Sequence, residues 1–465
     1  MPVAGERLLR DRSAGSRVTN VELFFDLVYV FAVTQLSHHL LAEPTVRGAL
    51  QTALLWAMVW LVWAYTTWVT NWMEPGTGEV RILLIALMLV SLGMSAALPR
   101  AFTGTGLLGA GLVVGGAYAV QQVGRSVFMV VVLRGPAAQP LRRNFQRILA
   151  WCVLSGALAL AGGLVHGWGR DLLWVLAVVA DVGGSLLGFR APWLGRSLAS
   201  DWTIEGGHFA ERCQGFILIA LGESIVIIGA TMSGMARVQA STVAAFVVAF
   251  AGSVALWWLY FDRSAEASLQ VIASSGNPGA VARAAYHLIH PIMVAGIIVA
   301  AAGDEKILTL PSAHANAASA WMILGGPALF VAGHAAFKYV IWRHVSWNRL
   351  AGIAALALLA TTVPFVPEIA LCACSAAVVA AIAATDRTGL ARLPAASTRH
   401  ERAGNRRGDH RGEGCDLNSH IAVAIATASA QKSSLSSDSN YEIAVASEPR
   451  GQFAAYLVIV KLTKT

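Results

Sequence analysis

The residues able to do chemistry in this chain are ionisable side chains set in apolar surroundings. The first of them stand in ELFFDLVYVF, residues 22–31. Glu22 and Asp26 are four residues apart, which puts both carboxylates on one face of a helix. A second group lies in HFAERCQGFILIALGESIVIIG, which holds His208, Glu211, Arg212 and Glu223. At 100° per residue Arg212 and Glu223 return to nearly the same face, about 16 Å apart, so they cannot pair with each other. Each needs a partner on another element, and the acidic face at residues 22–26 is the natural source of carboxylate for Arg212. Glu223 sits between Gly222 and Ser224, small residues that allow close approach of another helix, an ion or a solute. YHLIHPIM adds His287 and His290, three apart on one helical face before Pro291, and GHAAFKY adds His334 and Lys338.

Two kinds of chemistry fit these groups. Deep carboxylates bind protons or cations, and histidines that titrate near neutrality relay protons. The plainer reading is an ion-pair cluster of Glu22, Asp26, Glu211 and Arg212 that fixes helix packing, with the histidines hydrogen-bonded inside the bundle. A metal is not expected, because HxxH without a third ligand at helical spacing is weak. No cofactor is expected either. There is no GxxxxGK[ST], GxSxG or HExxH, so ATP-driven transport and the familiar membrane hydrolases have no motif, and the chain is not expected to be an enzyme.

The elements that position these residues follow from composition. Of 465 residues 56% are hydrophobic and 13% charged, with a mean hydropathy of +0.61. That is the balance of a chain dissolved in a lipid bilayer, its first partner. Apolar stretches of roughly 18 to 25 residues, enough for about 30 Å of hydrocarbon, recur along the chain. They are continuous rather than alternating, which argues against a β-barrel. The fold expected is an all-α integral membrane protein of about twelve spans. They lie at residues 22–41, 49–70, 80–98, 107–133, 146–164, 171–189, 211–232, 242–261, 284–302, 319–341, 350–365 and 367–385. The last two are split by Pro364 and Pro367 and read either as a pair or as one broken, re-entrant element. Trp56, Trp60 and Trp63 recur at helical spacing, a stripe that reads as packing rather than a cation box.

Arg and Lys distribute unevenly over alternate loops. One side holds Arg7, Arg10, Arg12, Arg17 and the groups around residues 134–147 and 190–196; the other holds Arg47, Arg100, Arg170, Arg237 and Lys306. The rule that cytoplasmic loops are positive then puts both termini in the cytoplasm, with the first span an uncleaved signal anchor. The formal charge of +8 is held beside spans, where anionic lipid accounts for it and nucleic acid does not. Residues 1–20 form an N-terminal segment. Residues 21–190 and 211–385 form two six-span halves around a central loop at 191–210, and residues 386–465 a polar tail expected to be disordered. A two-half layout is the common build of secondary transporters, and the sequence leaves open whether the halves arose by duplication. The five cysteines form no CxxC pair and read as buried small hydrophobes.

ELFFDLVYVFAVTQLS and HFAERCQGFILIALGESIV together resemble the opening "ELFFDLV.VFA" and the "H.AER…LGE" segment of the bacterial low temperature requirement A family, over about residues 15 to 385. The resemblance implies a multi-pass protein of the bacterial plasma membrane. It marks Glu22, Asp26, His208, Glu211, Arg212, Gly222 and Glu223 as the positions where a family function would lie. It supplies no reaction beyond the association with growth at low temperature that the family's name records. The leading expectation is a proton- or cation-coupled secondary transporter of an unknown small solute or ion. The alternative is a non-transporting regulator or sensor of low-temperature adaptation.

Overall fold

The computed structural model describes residues 6–10, 17–103, 109–136, 138–197, 204–262, 264–390, 441–446 and 457–462. The first six long helices are α1 (Asn20–Ala42), α2 (Val46–Trp72), α3 (Gly78–Ala97), α4 (Ala110–Val132), α5 (Gln139–Leu164) and α6 (Trp168–Leu186). A second series follows: α7 (Gly206–Ser233), α8 (Ala240–Phe261), the short α9 (Ser264–Ala273) and α10 (Pro278–Val281), a π-helical segment Ala282–Ile289, then α11 (His290–Thr309), α12 (Ala317–Trp342), α13 (Trp347–Leu359) and α14 (Glu368–Leu390). Among the described residues ten helices are long and apolar enough to cross a membrane. The all-α, many-span expectation therefore holds. The long α4 and α6 fall outside the ten, and both carry charged or amide side chains in their interior: Gln121, Gln122 and Arg125 in α4, Asp181 in α6.

Helix boundaries follow local chemistry. Thr19 precedes α1 and forms a reciprocal capping box with Glu22. Glu205 caps α7, accepting from the Gly207 amide (3.2 Å) and from the His208 amide. The central loop therefore ends at residue 205, earlier than the expected 210, and His208 is helical. Asn316 and Ser319 form a second capping box at α12. The region split by prolines is a hairpin: α13 ends in a 3-10 turn, Ala360–Phe365, and α14 packs back against α13.

The helices sort their faces for lipid on one side and protein on the other. On α1, Leu23, Phe24, Leu27 and Phe31 are exposed, while Glu22, Phe25, Asp26, Tyr29 and Val33 are buried. This inversion of a soluble helix is expected where the solvent is hydrocarbon. Contacts between helices rely on small residues. A Cβ on Gly115 of α4 would stand 2.2 Å from the Ala159 carbonyl of α5, and one on Gly326 of α12 would stand 2.5 Å from the Ala300 nitrogen of α11. The order of neighbours within α1–α6 recurs in the second series. α1 packs on α3, α3 on α4, α4 on α5, α5 on α6 and α2 on α6; likewise α7 packs on α11, α11 on α12, α12 on α13, α13 on α14 and α8 on α14. The short α9, α10 and the π-helical segment are extra in the second series.

Prolines inside spans are accommodated by the same device twice. Pro291 has no N–H to offer the His287 carbonyl, which accepts instead from Trp60 Nε1 at 2.9 Å. Pro327 leaves the Ile323 carbonyl free in α12, and the Ser375 hydroxyl of α14 donates to it at 3.1 Å. Residues 393–465 form a separate unit. Most of the tail expected to be disordered lies outside the described residues. Within it Tyr441–Ala446 and Leu457–Leu462 pair antiparallel, with Tyr441 opposite Leu462. Both strands are runs rich in apolar residues, as strands require.

Gly326→Val is expected to destabilise the bundle by about 1–3 kcal/mol through overpacking. Gly124→Ala, where a Cβ meets nothing within 4 Å, should hold stability or raise it by up to about 1 kcal/mol. Thermal unfolding of the purified variants in one detergent compares the two, and equal melting would contradict the close α11–α12 contact.

Candidate functional site

The two acids of α1 meet Arg212 of α7 in a site with no access to solvent. Arg212 Nε donates to Asp26 Oδ2 at 3.0 Å and Nη2 to Asp26 Oδ1 at 2.5 Å, a fork-on-fork pairing, while Nη1 reaches Glu22 Oε1 at 3.1 Å. The side chains of Glu22, His208 and Arg212 are fully buried. A second guanidinium closes the other side of Glu22: Arg10 Nη2 donates to Oε2 at 3.1 Å. The same Oε2 takes the Thr19 amide and hydroxyl, each at 2.9 Å. Two carboxylates therefore face two guanidiniums, and the cluster balances in charge.

The third helix of the site is α2. Trp63 Nε1 donates to Asp26 Oδ1 at 2.7 Å, Thr70 Oγ1 accepts from Arg212 Nη1 at 3.2 Å, and the Arg212 guanidinium lies 5.8 Å from the centre of the Trp63 ring. Asn71 sets the state of His208. Its amide is oriented by the Glu205 backbone, accepting from the Glu205 N–H (2.9 Å) and donating to the Glu205 carbonyl (2.8 Å). The same Nδ2 donates to His208 Nδ1 at 3.3 Å. Nδ1 is then the acceptor nitrogen, the proton resides on Nε2, and Nε2–H donates to Glu22 Oε1 at 3.0 Å.

Glu211 is not in this cluster, which corrects the four-residue grouping of Glu22, Asp26, Glu211 and Arg212. One residue from Arg212 is 100° around the helix, and Glu211 is exposed there, accepting from the Val18 amide at 3.4 Å. Glu223, eleven residues beyond Arg212 on α7, is buried and accepts a hydrogen bond from Thr34 Oγ1 of α1. The same hydroxyl lies 3.1 Å from the Val30 carbonyl. α1 and α7 are thus tied at two levels, once by charge and once by a single hydroxyl.

His287 and His290 have different hydrogen-bonding surroundings. The π-helical turn that carries His287 ends at His290 and breaks the α-helical register between them. His290 Nε2 donates to the Cys213 carbonyl of α7 at 2.9 Å. His287 lies 5.8 Å from the Tyr65 ring, and neither of its ring nitrogens has a hydrogen-bond partner. His334 also lacks partners at both nitrogens, and Lys338 lies 3.5 Å from Asp386. The Trp stripe does bonding work: Trp56 Nε1 donates to the Pro291 carbonyl at 2.9 Å, and Trp60 and Trp63 donate as described.

Some participants escaped the sequence reading. Arg10 looked like a topology signal, Thr34, Thr70 and Asn71 like ordinary span residues, and Asp304 lay beyond the expected end of its span. Asp304 is buried beside Cys372 Sγ (3.9 Å), next to a small cavity also lined by Ser224, Ser253 and Ser375. Arg125 of α4 and Asp181 of α6 are joined through Gln122: its Nε2 donates to Asp181 Oδ2 at 2.5 Å and its Oε1 accepts from Arg125 Nη2.

The motifs at Glu22–Asp26 and His208–Glu223 thus converge in space, and the comparison with known proteins gives them a family. The model described as bacterial low temperature requirement A protein (LtrA) matches residues 17–384. The chain belongs to the LtrA family. A relative, an uncharacterized protein of Rhizobium meliloti (strain 1021), is 34% identical over 351 residues, which is 75% of this chain and 84% of the relative. No solved structure matches. As an LtrA protein the chain is a multi-pass membrane protein seated in a lipid bilayer, with its motif residues at the α1–α7 contact.

Arg212→Met leaves Glu22 and Asp26 short of a buried cation and is expected to cost about 3–5 kcal/mol. Adding Asp26→Asn to Arg212→Met should recover part of that loss, whereas Glu211→Gln should change stability by less than about 0.5 kcal/mol. Thermal melts of the variants in lipid nanodiscs read the differences. Arg212→Met melting with the wild type would mean that the cluster does not hold the helices together.

Proposed function

We propose that this LtrA protein is a proton- or cation-coupled secondary transporter of the bacterial plasma membrane, with both termini cytoplasmic and Glu223 as its coupling site. The observation that carries the reading is the setting of Glu223, a buried carboxylate whose hydrogen-bond partner is the neutral hydroxyl of Thr34. Thr34 has one hydroxyl hydrogen, yet two acceptors stand within reach, the Val30 carbonyl and the Glu223 carboxylate. With Glu223 ionised, that hydrogen goes to the carboxylate, and the Val30 carbonyl keeps the α-helical bond from the Thr34 amide. With Glu223 protonated, its own O–H donates to Thr34 Oγ1 and Thr34 donates to Val30, so the hydrogen bond across the contact reverses direction. Among the described residues no guanidinium or ammonium pairs with Glu223, in contrast to the balanced cluster at Glu22 and Asp26. A bound proton or small cation therefore changes the bonding across the α1–α7 contact, which is the requirement for coupling an ion to movement of one helix series against the other. The clustering of Arg residues on alternate loops supports the orientation.

The test is flux in proteoliposomes with the purified protein, an imposed proton gradient and sodium or potassium in turn. Wild type is expected to carry ions, and Glu223→Gln, which keeps a donor and an acceptor but cannot ionise, to lose at least tenfold of the flux while melting like the wild type. Undiminished flux in Glu223→Gln removes that residue from the pathway. A folded wild type that carries nothing favours the regulator of low-temperature adaptation instead.

A further inference from the structure

A cavity of about 50 Å³ lies between α2, α4, α5, α6 and the π-helical turn. Its walls are aromatic and apolar: Tyr65, Trp68 and Trp72 of α2, Phe145 of α5, and Phe189 after α6. Its polar lining is cationic or neutral. Arg125 is buried at one side and Arg283 half-buried at another, with His287 between elements and no carboxylate among the lining residues.

Three features point to a ligand. His287 is 4% exposed, and both of its ring nitrogens are without partners, an arrangement that costs free energy unless something else fills it. It stands on a π-helix, a rare element frequent at functional sites. The third feature is charge. Arg125 is offset by Asp181 through Gln122, but no carboxylate among the described residues pairs with Arg283, whose Nη1 donates to the Ser185 carbonyl at 3.1 Å. The cavity therefore presents a guanidinium that has no carboxylate partner among the described residues.

We propose that this cavity binds a small organic monoanion, its carboxylate taken by Arg283 and His287 and its apolar part lying against Tyr65, Trp68 and Phe189. At roughly 10–15 Å³ for each water-sized group, the space holds about four such groups, the size of a two-carbon acid. That such an acid is the transported solute rests on the transport reading above; the binding site does not.

The experiment is equilibrium titration of the full-length protein in nanodiscs, followed by calorimetry, with sodium acetate as probe, acetamide as its neutral counterpart and sodium chloride as the inorganic anion. Saturable binding of acetate, with acetamide at least tenfold weaker, is expected. Arg283→Gln and His287→Phe are each expected to weaken acetate at least tenfold while melting like the wild type. Arg283 is half-exposed, so its replacement strands no buried charge. Acetamide binding as well as acetate, or Arg283→Gln binding acetate unchanged, overturns the proposal, and chloride binding more tightly than acetate overturns the organic class. Acetate binding without flux in proteoliposomes upholds the site and counts against transport alone. Uptake of labelled acetate that is lost in Arg283→Gln supports both.

Discussion

Glu22 and Asp26 stand on a helix whose opposite face is immersed in lipid, and an unpaired charge there is among the costliest things a membrane protein can contain. Arg212 and Arg10 remove that cost, and much of the surrounding structure exists to hold them in place. Glu22 caps its own helix, accepts from His208 and takes both guanidiniums. Asp26 takes the fork of Arg212 and the indole of Trp63. A buried ion pair seldom adds much net stability over a well-packed apolar contact, so its contribution lies in specificity. Only one rotation and one height of α1 against α7 satisfies all of these bonds, and that setting fixes which residues of α1 face lipid.

The recurrence of neighbours between the two helix series gives this pairing a wider meaning. α1 and α7 open their respective series, so the charged contact joins equivalent helices. The second contact between them, Thr34 to Glu223, lies eight residues along α1 and eleven along α7, roughly 12 and 16 Å farther along the helices. In the transport reading the ion-paired end is the stiff one, and the hydroxyl–carboxyl end is where an ion alters the fit. The series are not copies throughout. α9, α10 and the π-helical turn belong only to the second, and that addition supplies Arg283 and His287 to the cavity.

Much of the bundle was legible in the sequence, because hydrocarbon thickness forces long apolar runs and punishes charges that lack a reason. The convergence of Glu22, Asp26 and Arg212 was legible on the same ground: charges that cannot pair within their own helices must find each other. What was not legible depends on rotation and long-range placement. Glu211 and Arg212 are adjacent in sequence yet point to different surroundings. Arg10 reads as a loop charge and is a buried ligand of Glu22. His287 and His290 look like one helical face, yet their hydrogen-bonding surroundings differ. The cavity is assembled from residues 65 to 287 across five elements, and no local pattern announces it.

That π-helical turn carries an evolutionary consequence. A π-turn amounts to one residue more than an α-helix needs, and one residue is 100° of rotation. The extra residue lets α11 keep its seating on α7, through His290 and the Cys213 carbonyl, while the segment before it turns His287 toward α2. Trp60 accepts the arrangement by donating to the carbonyl that Pro291 cannot reach. A lineage that lost one residue here would rotate everything before it by about 100°, so the place of His287 against α2 and that of Tyr286 against Ser268 and Phe337 depend on the same residue count.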